Sequence, residues 1–255
     1  MTRTKALAIA HRLSNPTKMP GWAYNLPAKY CKTGSKIRKV EGTSCSGCYA
    51  FEGWYPARTK ELEKRYRAIK HPMWVEAMVY LVGHQRKEHF RWHDSGDIQS
   101  LDHLHKIVQI CLRTPHVKHW LPTLEWGMIR KYWELHGKIP MKQLVPNLKI
   151  TLSSIFVNGR APKDLAKRLG VGCSYVSKGY KNCPALEQDH KCGDCRRCWD
   201  NSKFLTIFGY KGTKKERFHN HKYSKKGYIR TSYNGMPKGT RLRKDMTTTE
   251  IMTLN

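Results

Sequence analysis

Acidic residues are scarce in this chain. It has 19 Asp and Glu against 48 Lys and Arg in 255 residues, which gives a formal net charge of +29 at pH 7. A charge imbalance of this size concerns partners more than fold, because it attracts polyanions over long distances. We therefore predict that nucleic acid is a partner, bound through a basic surface and a basic arm.

Long apolar runs are also missing. No stretch of eighteen consecutive apolar residues occurs, and the first residues, Met1–His11, have only the short apolar stretch Ala6–Ala10 in place of a signal-peptide layout. We accordingly expect no membrane partner and a cytoplasmic location. Thiols stay reduced in the cytoplasm, so grouped cysteines in such a protein indicate metal binding and not disulfides.

Seven of the nine cysteines lie in two compact groups. Thiolates at two-residue spacing can face one metal or cluster, because the turn between them brings the sulfurs together. Three thiolates leave a metal with an open position, which suggests chemistry, whereas four close a site, which suggests structure. The spacing does not separate zinc from iron–sulfur. The first cysteine group is Cys31, Cys45 and Cys48 (C-x13-C-x2-C), and the second is Cys183, Cys192, Cys195 and Cys198 (C-x8-C-x2-C-x2-C).

Strand-like and helix-like patterns alternate along the chain, which indicates βαβ units and a mostly parallel sheet. Five or six strands are too few for an eight-fold barrel, so we predict an α/β fold with a partial (β/α) barrel. The predicted strands are His89–Asp94, Val117–Leu121, Leu148–Ser153, Val171–Ser177 and Phe204–Phe208. The predicted helices are Ala57–Lys70, Pro72–Lys87, Ile98–Arg113, Glu125–Leu135 and Pro162–Leu169.

Three regions follow from these patterns. Residues 1–178 form the partial barrel with an N-terminal cysteine loop, and residues 179–210 form a cysteine-rich metal-binding segment. Residues 211–255 form a basic arm and tail. Within 211–244 there are twelve Lys and Arg against one acidic residue, with tyrosines interleaved, which is typical of a nucleic-acid-binding arm.

Polar residues cluster where the first predicted strand ends. His93, Asp94, Ser95, Gly96 and Asp97 stand directly before a helix, at the edge of a parallel sheet where ligands bind. The alternative is that Ser95 or Asp97 caps that helix. Other strand-end residues could line the same edge or serve only in turns and caps: Thr123, Glu125, Ser153 and Ser154.

Several motifs, in the same order along the chain, resemble the phage family that carries the "gene product 88" domain. The resemblance covers about residues 18 to 210, and it implies a phage protein in the host cytoplasm. It does not imply an activity. The motifs are Lys18–Ala28, Thr33–Lys36, Cys45–Ala50, Arg91–Asp97, Lys118–Thr123 and Lys191–Trp199.

A more distant similarity is to radical S-adenosylmethionine enzymes, which have a partial (β/α) barrel and three N-terminal cysteines. It implies that the first cysteine group binds a 4Fe–4S cluster whose open iron holds S-adenosylmethionine. The first gap is thirteen residues here, whereas three are common in those enzymes. The second group would hold another 4Fe–4S cluster or zinc. The implied cofactor-binding residues are Ser95, Gly96 and Asp97 for the methionine part, Ser153 or Ser154 for the ribose and Tyr49 for the adenine.

Three functions remain open at this point. The first is an iron–sulfur radical enzyme that acts on a nucleic acid or another polyanionic target, with His93 and Asp94 as candidate catalytic residues. The second is a zinc-containing, nucleic-acid-binding regulatory protein without catalysis. The third is a metal-dependent hydrolase or nuclease that uses His93, Asp94 and Asp97 with a hard cation.

Overall fold

Six strands, arranged in the order in which they occur along the chain, form the frame of the protein. They are β1 (Trp22–Tyr24), β2 (His89–Trp92), β3 (Lys118–Thr123), β4 (Leu148–Ser153), β5 (Gly172–Ser177) and β6 (Leu205–Gly209). A computed structural model describes them together with the rest of residues 1–51 and 57–210. Each of the five neighbouring pairs is parallel, and β1 and β6 do not pair within the described residues, so the sheet is open. The predicted α/β class and parallel sheet are confirmed, whereas the partial barrel stays a prediction.

Helices connect the strands, and every predicted helix is present with slightly different ends. The predicted helix Pro72–Lys87, for example, begins at Trp74 and ends at Gly83. The helices are α1 (Arg3–Ala10), α2 (Lys32–Ile37), α3 (Thr59–Ala68), α4 (Trp74–Gly83), α5 (Leu101–Leu112), α6 (Trp126–Leu135), α7 (Met141–Leu144) and α8 (Lys163–Leu169).

The prediction that Ser95 or Asp97 caps α5 is wrong. The helix begins at Leu101, and the hydroxyl of Ser100 accepts a hydrogen bond from the amide of His103 at 3.0 Å. Ser95 and Asp97 lie upstream in the loop that follows β2. Their side chains are therefore available for contacts with other strand ends, which decides their place in the site described below.

One face of the sheet is apolar and packs against the helices. Leu121 and Leu152 are buried there with Leu104 of α5, in a continuous apolar core. Apolar residues recur at helical spacing along α5, so one side of that helix is buried. The core therefore lies between the sheet and its connecting helices.

The opposite face of the sheet, which we call the open face, carries a row of three large side chains. Arg91, Trp120 and Lys149 occupy paired positions on β2, β3 and β4. Successive residues of a strand point to opposite sides, so these three face away from the helices. The guanidinium of Arg91 lies 4.6 Å from the ring centroid of Trp120. The open face therefore combines cations with an aromatic ring, and its Trp120 and Lys149 are buried.

The structure describes two of the three predicted regions. The described chain ends at residue 210, so the predicted arm and tail, 211–255, lie outside the described residues. The cysteine-rich region 179–210 contains β6, so it completes the sheet that the preceding residues begin. None of the helices in the described ranges is long and apolar enough to cross a membrane.

Candidate metal centre

The first cysteine group lies in a loop that follows β1 and is tied to the end of β3. Glu125, the second residue after β3, accepts hydrogen bonds from the amide and the hydroxyl of Thr33, at 2.8 and 3.1 Å. The Glu125 side chain is buried, as is Thr33. A buried carboxylate needs such donors, because charge without a partner is costly in a protein interior. This contact holds the start of the cysteine loop, around Cys31, at the carboxyl edge of the sheet.

The other end of the same loop is tied to the segment after β4. The amide of Ser44 donates to the carbonyl oxygen of Ile155 at 2.7 Å, and its hydroxyl donates to that of Ser154 at 3.1 Å. The amide of Val157 donates to the carbonyl oxygen of Gly42 at 2.9 Å. The cysteine loop therefore spans the ends of β3 and β4, where ligand sites form in parallel sheets.

The thiols of this loop share one space, which is kept open by a glycine. A methyl group on Gly34 would lie 3.4 Å from Sγ of Cys45 and 3.8 Å from Sγ of Cys31. Cys48 is close enough for its charge to raise the pKa of both other thiols. The structure therefore places Cys31 and Cys45 side by side at Gly34, with Cys48 in electrostatic range of both, but the described side chains do not form a complete ligand set as they stand.

The environment of these thiols favours the protonated form. Burial raises the pKa of Cys45 to about 12, and the charges of Cys48 and Asp97 act in the same direction. Burial also raises the pKa of Cys31, with further contributions from Asp97 and Cys45. Burial and the neighbouring anions destabilise a thiolate here. A bound metal cation would stabilise it, because its positive charge offsets both effects. The donor set thus fits a thiophilic metal.

Asp97 lies beside the thiols and is held by the end of β3. Its two carboxylate oxygens accept hydrogen bonds from the hydroxyl of Thr123 at 2.6 Å, the amide of Leu124 at 2.9 Å and the amide of Ile98 at 2.8 Å. Burial, and after it the charge of Glu125, raise the pKa of Asp97 to about 7. Two carboxylates and three thiols therefore share one corner of the sheet edge.

Ser95 and Gly96 pack against the chain that follows β1. The Ser95 hydroxyl donates to the carbonyl oxygen of Leu26 at 2.8 Å, and the Leu26 amide donates to the carbonyl oxygen of Ser95 at 2.9 Å. Gly96 has a φ of +87°, and a Cβ there would lie 2.6 Å from Cβ of Leu26. Position 96 therefore requires glycine, both for its backbone conformation and for this close approach.

The residues predicted to contact ribose and adenine differ in the exposure and the hydrogen bonds of their side chains. The Ser154 hydroxyl lies 3.1 Å from the carbonyl oxygen of Phe156 and 3.2 Å from that of Arg160, so it is used within its own loop. Ser153 is half-buried, and its hydroxyl accepts a hydrogen bond from Ser174 at 3.4 Å. Tyr49 is 53% exposed, and its hydroxyl donates to the carbonyl oxygen of Asp94. Ser153 and Tyr49 are therefore the more accessible of the three.

The two predicted catalytic residues lie in different surroundings. His93 is 3% exposed, with its ring 5.3 Å from that of His103 in the core. Neither ring nitrogen of His93 has a hydrogen-bond partner among the described residues. Asp94 is half-buried, and its amide donates to Oδ1 of Asn25 at 3.0 Å. The two side chains are not brought together around one ligand, so the roles of His93 and Asp94 stay predictions.

The thiols of the second cysteine group are close enough to influence one another's pKa. Burial raises the pKa of Cys192, and the charges of Cys183 and Cys195 raise it further. Burial and the charge of Cys183 raise the pKa of Cys198 to about 12. In the ranges 1–51 and 57–210, no three His, Cys, Asp or Glu side chains lie close enough together to hold a single metal ion as they stand.

Sequence reasoning did not single out Arg91, which lies between the two cysteine groups. Burial raises the pKa of Cys192 and of Cys198, and the charge of Arg91 opposes that rise in both. Arg91 also forms a side-chain hydrogen bond with Tyr49, the neighbour of Cys48. The sequence signal that could have identified Arg91 is the alternation of side chains along β2, where this cation lies between the buried Phe90 and Trp92.

These features define an α/β protein with a three-thiol candidate metal centre at the carboxyl edge of an open parallel sheet. The chain belongs to the phage family described as Gene product 88, whose family model matches residues 1–201. No curated protein and no solved structure matches the chain. The predicted membership is confirmed, and the match brings no activity with it.

Proposed function

We propose that the protein is an iron–sulfur, S-adenosylmethionine-dependent radical enzyme that acts on a nucleic acid or another polyanionic target. The observation that carries the proposal is the approach of Cys31 and Cys45 to Gly34 in the loop after β1, with Cys48 close enough to raise the pKa of both. Three thiolates can hold a 4Fe–4S cluster and leave one iron open for a cofactor. Such a cluster with S-adenosylmethionine supplies one-electron chemistry that protein side chains lack.

The chain's own residues would position the cofactor and exclude water. In this proposal, the Ser95–Asp97 turn offers backbone groups to the methionine part, because the Ser95 and Asp97 side chains are already bonded to Leu26 and Thr123. Ser153 and Tyr49 are the accessible side chains for the ribose and the adenine. The sequential order of six parallel strands supports the partial (β/α) barrel that this enzyme class uses.

A basic cleft beside the cysteine loop supports a polyanionic target. The cleft has a volume of about 450 Å³, and its lining includes Arg38, Lys39 and Ser46, which stands between Cys45 and Cys48. The Arg38 guanidinium lies 3.6 Å from the ring centroid of Phe51. A guanidinium stacked on an aromatic ring is preorganised for phosphate and for base stacking. Phosphate groups bound in this cleft would lie close to the first cysteine group.

The alternative is a zinc-containing nucleic-acid-binding protein without catalysis. The four-thiol second group and the net charge of +29 favour it. It leaves the open three-thiol site without a role, so we rank it second.

Metal analysis of protein purified and reconstituted without oxygen tests the proposal. We expect about four irons and four sulfides per chain bound at the first group. Cys45→Ala is expected to lose them, and Cys173→Ala, which removes a thiol from the apolar core, is the matched control. Equal iron in both variants, or zinc alone after reconstitution, would favour the alternative.

A further inference from the structure

We infer that Cys183, Cys192, Cys195 and Cys198 bind a second metal centre with no open coordination position. This centre holds residues 183–203 in place against the open face of the sheet. The ligand is a thiophilic metal, either zinc or an iron–sulfur cluster, since both take four thiolates. The inference does not depend on the proposed function, because it concerns different residues. We call residues 183–203 the clasp segment.

Two tight backbone turns in succession carry three of these cysteines. The amide of Cys195 donates to the carbonyl oxygen of Cys192 at 3.0 Å, which closes a tight turn. Gly193 within this turn has a φ of +50°, and a Cβ there would lie 2.8 Å from Oε1 of Gln188. The 3₁₀ turn Arg197–Trp199 then carries Cys198. Glycine at 193 thus permits the turn that metal ligation needs.

The fourth cysteine, Cys183, is attached to β6 through its backbone. The amide of Cys183 donates to the carbonyl oxygen of Ile207 at 3.1 Å, and the Ile207 amide donates to Oδ1 of Asn182 at 2.8 Å. The amide of Cys192 donates to the carbonyl oxygen of Lys18 at 2.9 Å. The four sulfurs thus come from chain sections that are anchored separately, and a shared ligand would hold these sections together.

The clasp segment lacks the apolar burial that would otherwise hold it. Between residues 178 and 204, a fully described stretch, Trp199 is the only buried residue. Its indole donates to the carbonyl oxygen of Phe90 at 2.9 Å, and its ring lies 5.3 Å from that of Trp120. One buried side chain is little for so long a segment, since ordering each residue costs roughly 1–2 kcal/mol of conformational entropy. A structural metal commonly offsets such a deficit.

The open face contributes a second contact to the clasp segment. Lys149 is 2% exposed, and its ammonium donates to the carbonyl oxygens of Arg197 and Lys203, both at 2.6 Å. Burial lowers the pKa of Lys149 to about 8, while the nearby charge of Cys198 opposes that shift. A thiolate-bound metal centre would carry negative charge beside this ammonium, which stabilises both. Lys149 and the metal centre therefore support the same part of the segment.

Alkylation of native, full-length protein with cysteine mapping by mass spectrometry tests the inference. We expect the four second-group thiols to react slowly as isolated, and fast after a chelator or acid has removed the metal. The mapping reports Cys31, Cys45 and Cys48 separately, so failure of the proposed function can be distinguished from failure of this inference. Equal reaction rates of the four thiols before and after metal removal would overturn the inference.

Metal content of variants identifies the ligand. Cys195→Ser should lose either one zinc ion or about four irons per chain, while Cys45→Ser should keep the metal of this second centre and lose only that of the first group. Zinc loss identifies a structural zinc, and iron loss identifies a cluster; both support the site. Unchanged zinc and iron in a folded Cys195→Ser variant would refute it. If this variant does not fold, the alkylation of wild-type protein decides.

Discussion

Thr33 donates two hydrogen bonds to the carboxylate of Glu125, at 2.8 Å from its amide and 3.1 Å from its hydroxyl. The two residues are far apart in sequence, one at the start of the cysteine loop and the other after β3. Their contact places the first cysteine group at the sheet edge. The position of the site therefore depends on a carboxylate that is not itself one of the proposed metal ligands.

Glu125→Ala should loosen this attachment. The substitution leaves the buried amide of Thr33 without its acceptor, which costs about 1–3 kcal/mol of unfolding free energy. We expect this decrease in urea unfolding, together with lower iron retention, and a smaller decrease for Glu125→Gln. Glu134→Ala, at an exposed position of α6, is the control. Full iron retention in Glu125→Ala would contradict the positioning role.

Gly34→Ala should disturb the first cysteine group directly. The added methyl would lie 3.0 Å from Cβ of Cys31 and close to two sulfurs. We expect reduced iron per chain with an unchanged circular dichroism spectrum. The matched control is Gly127→Ala in α6, where a Cβ meets nothing within 4 Å. Equal iron in both variants would show that the thiols do not converge at Gly34.

Buried histidines should make the protein sensitive to acid. Burial lowers the pKa of His93 and of His119 to about 3, and that of His103 well below its ordinary value. Unfolded histidine titrates near 6.5, so the unfolded chain binds more protons between about pH 6.5 and 3. Stability should therefore fall as the pH drops through that window, by up to about 1.4 kcal/mol per pH unit for each histidine.

His119→Gln isolates one of these contributions. Glutamine can still meet the Thr114 hydroxyl, which lies 2.9 Å from Nε2 of His119, but it does not titrate. Urea unfolding at pH 7 and pH 5 should show a weaker pH dependence in this variant than in wild type. His84→Gln, at an exposed position, is the control. An identical pH dependence in wild type and His119→Gln would argue against a neutral buried His119.

The basic cleft should contribute to nucleic-acid binding. Replacing Arg38 and Lys39 with alanine is expected to weaken binding of a single-stranded oligonucleotide. The salt slope should also fall, by about 1 for each phosphate that the variant no longer neutralises. Fluorescence anisotropy at several salt concentrations measures both quantities. The control replaces the exposed pair Lys167 and Arg168 of α8. Equal affinity and slope in both double variants would remove the cleft from the binding surface.

Deletion of residues 211–255 tests the predicted arm in the same assay. The deletion removes twelve Lys and Arg within 211–244, so affinity should fall and the salt dependence should flatten. The cleft variants in the full chain separate the two contributions. An unchanged salt slope after deletion would show that the arm does not meet phosphate.

Much of the fold could be predicted from the periodicity of apolar residues. Two elements that were not predicted, β1 and α2, show where this method fails. β1 has only three residues, too few for an alternating pattern to be recognised. The α2 sequence contains Thr, Gly and Ser, which are weak helix formers, and tertiary contacts such as Thr33 with Glu125 hold it. Both elements flank or carry the first cysteine group, where local sequence preference is weakest.

The candidate site was partly predictable for a similar reason. Cysteine spacing and strand ends pointed to the first cysteine group and Asp97, because parallel strands end at one edge. The core position of His93 depends on its φ of +57°, which turns the side chain towards His103. The roles of Arg91 and Lys149 depend on a distant segment that crosses the open face. No local pattern contains that information.

The most direct test of the proposed function is an electron paramagnetic resonance spectrum of the reduced, reconstituted protein before and after addition of S-adenosylmethionine. Cys195→Ser protein, measured in parallel, separates any signal of the second centre. We expect a 4Fe–4S signal that depends on Cys45 and shifts when S-adenosylmethionine is added, because the open iron would bind it. A signal that the addition leaves unchanged, or no iron signal at all, would contradict the proposed function.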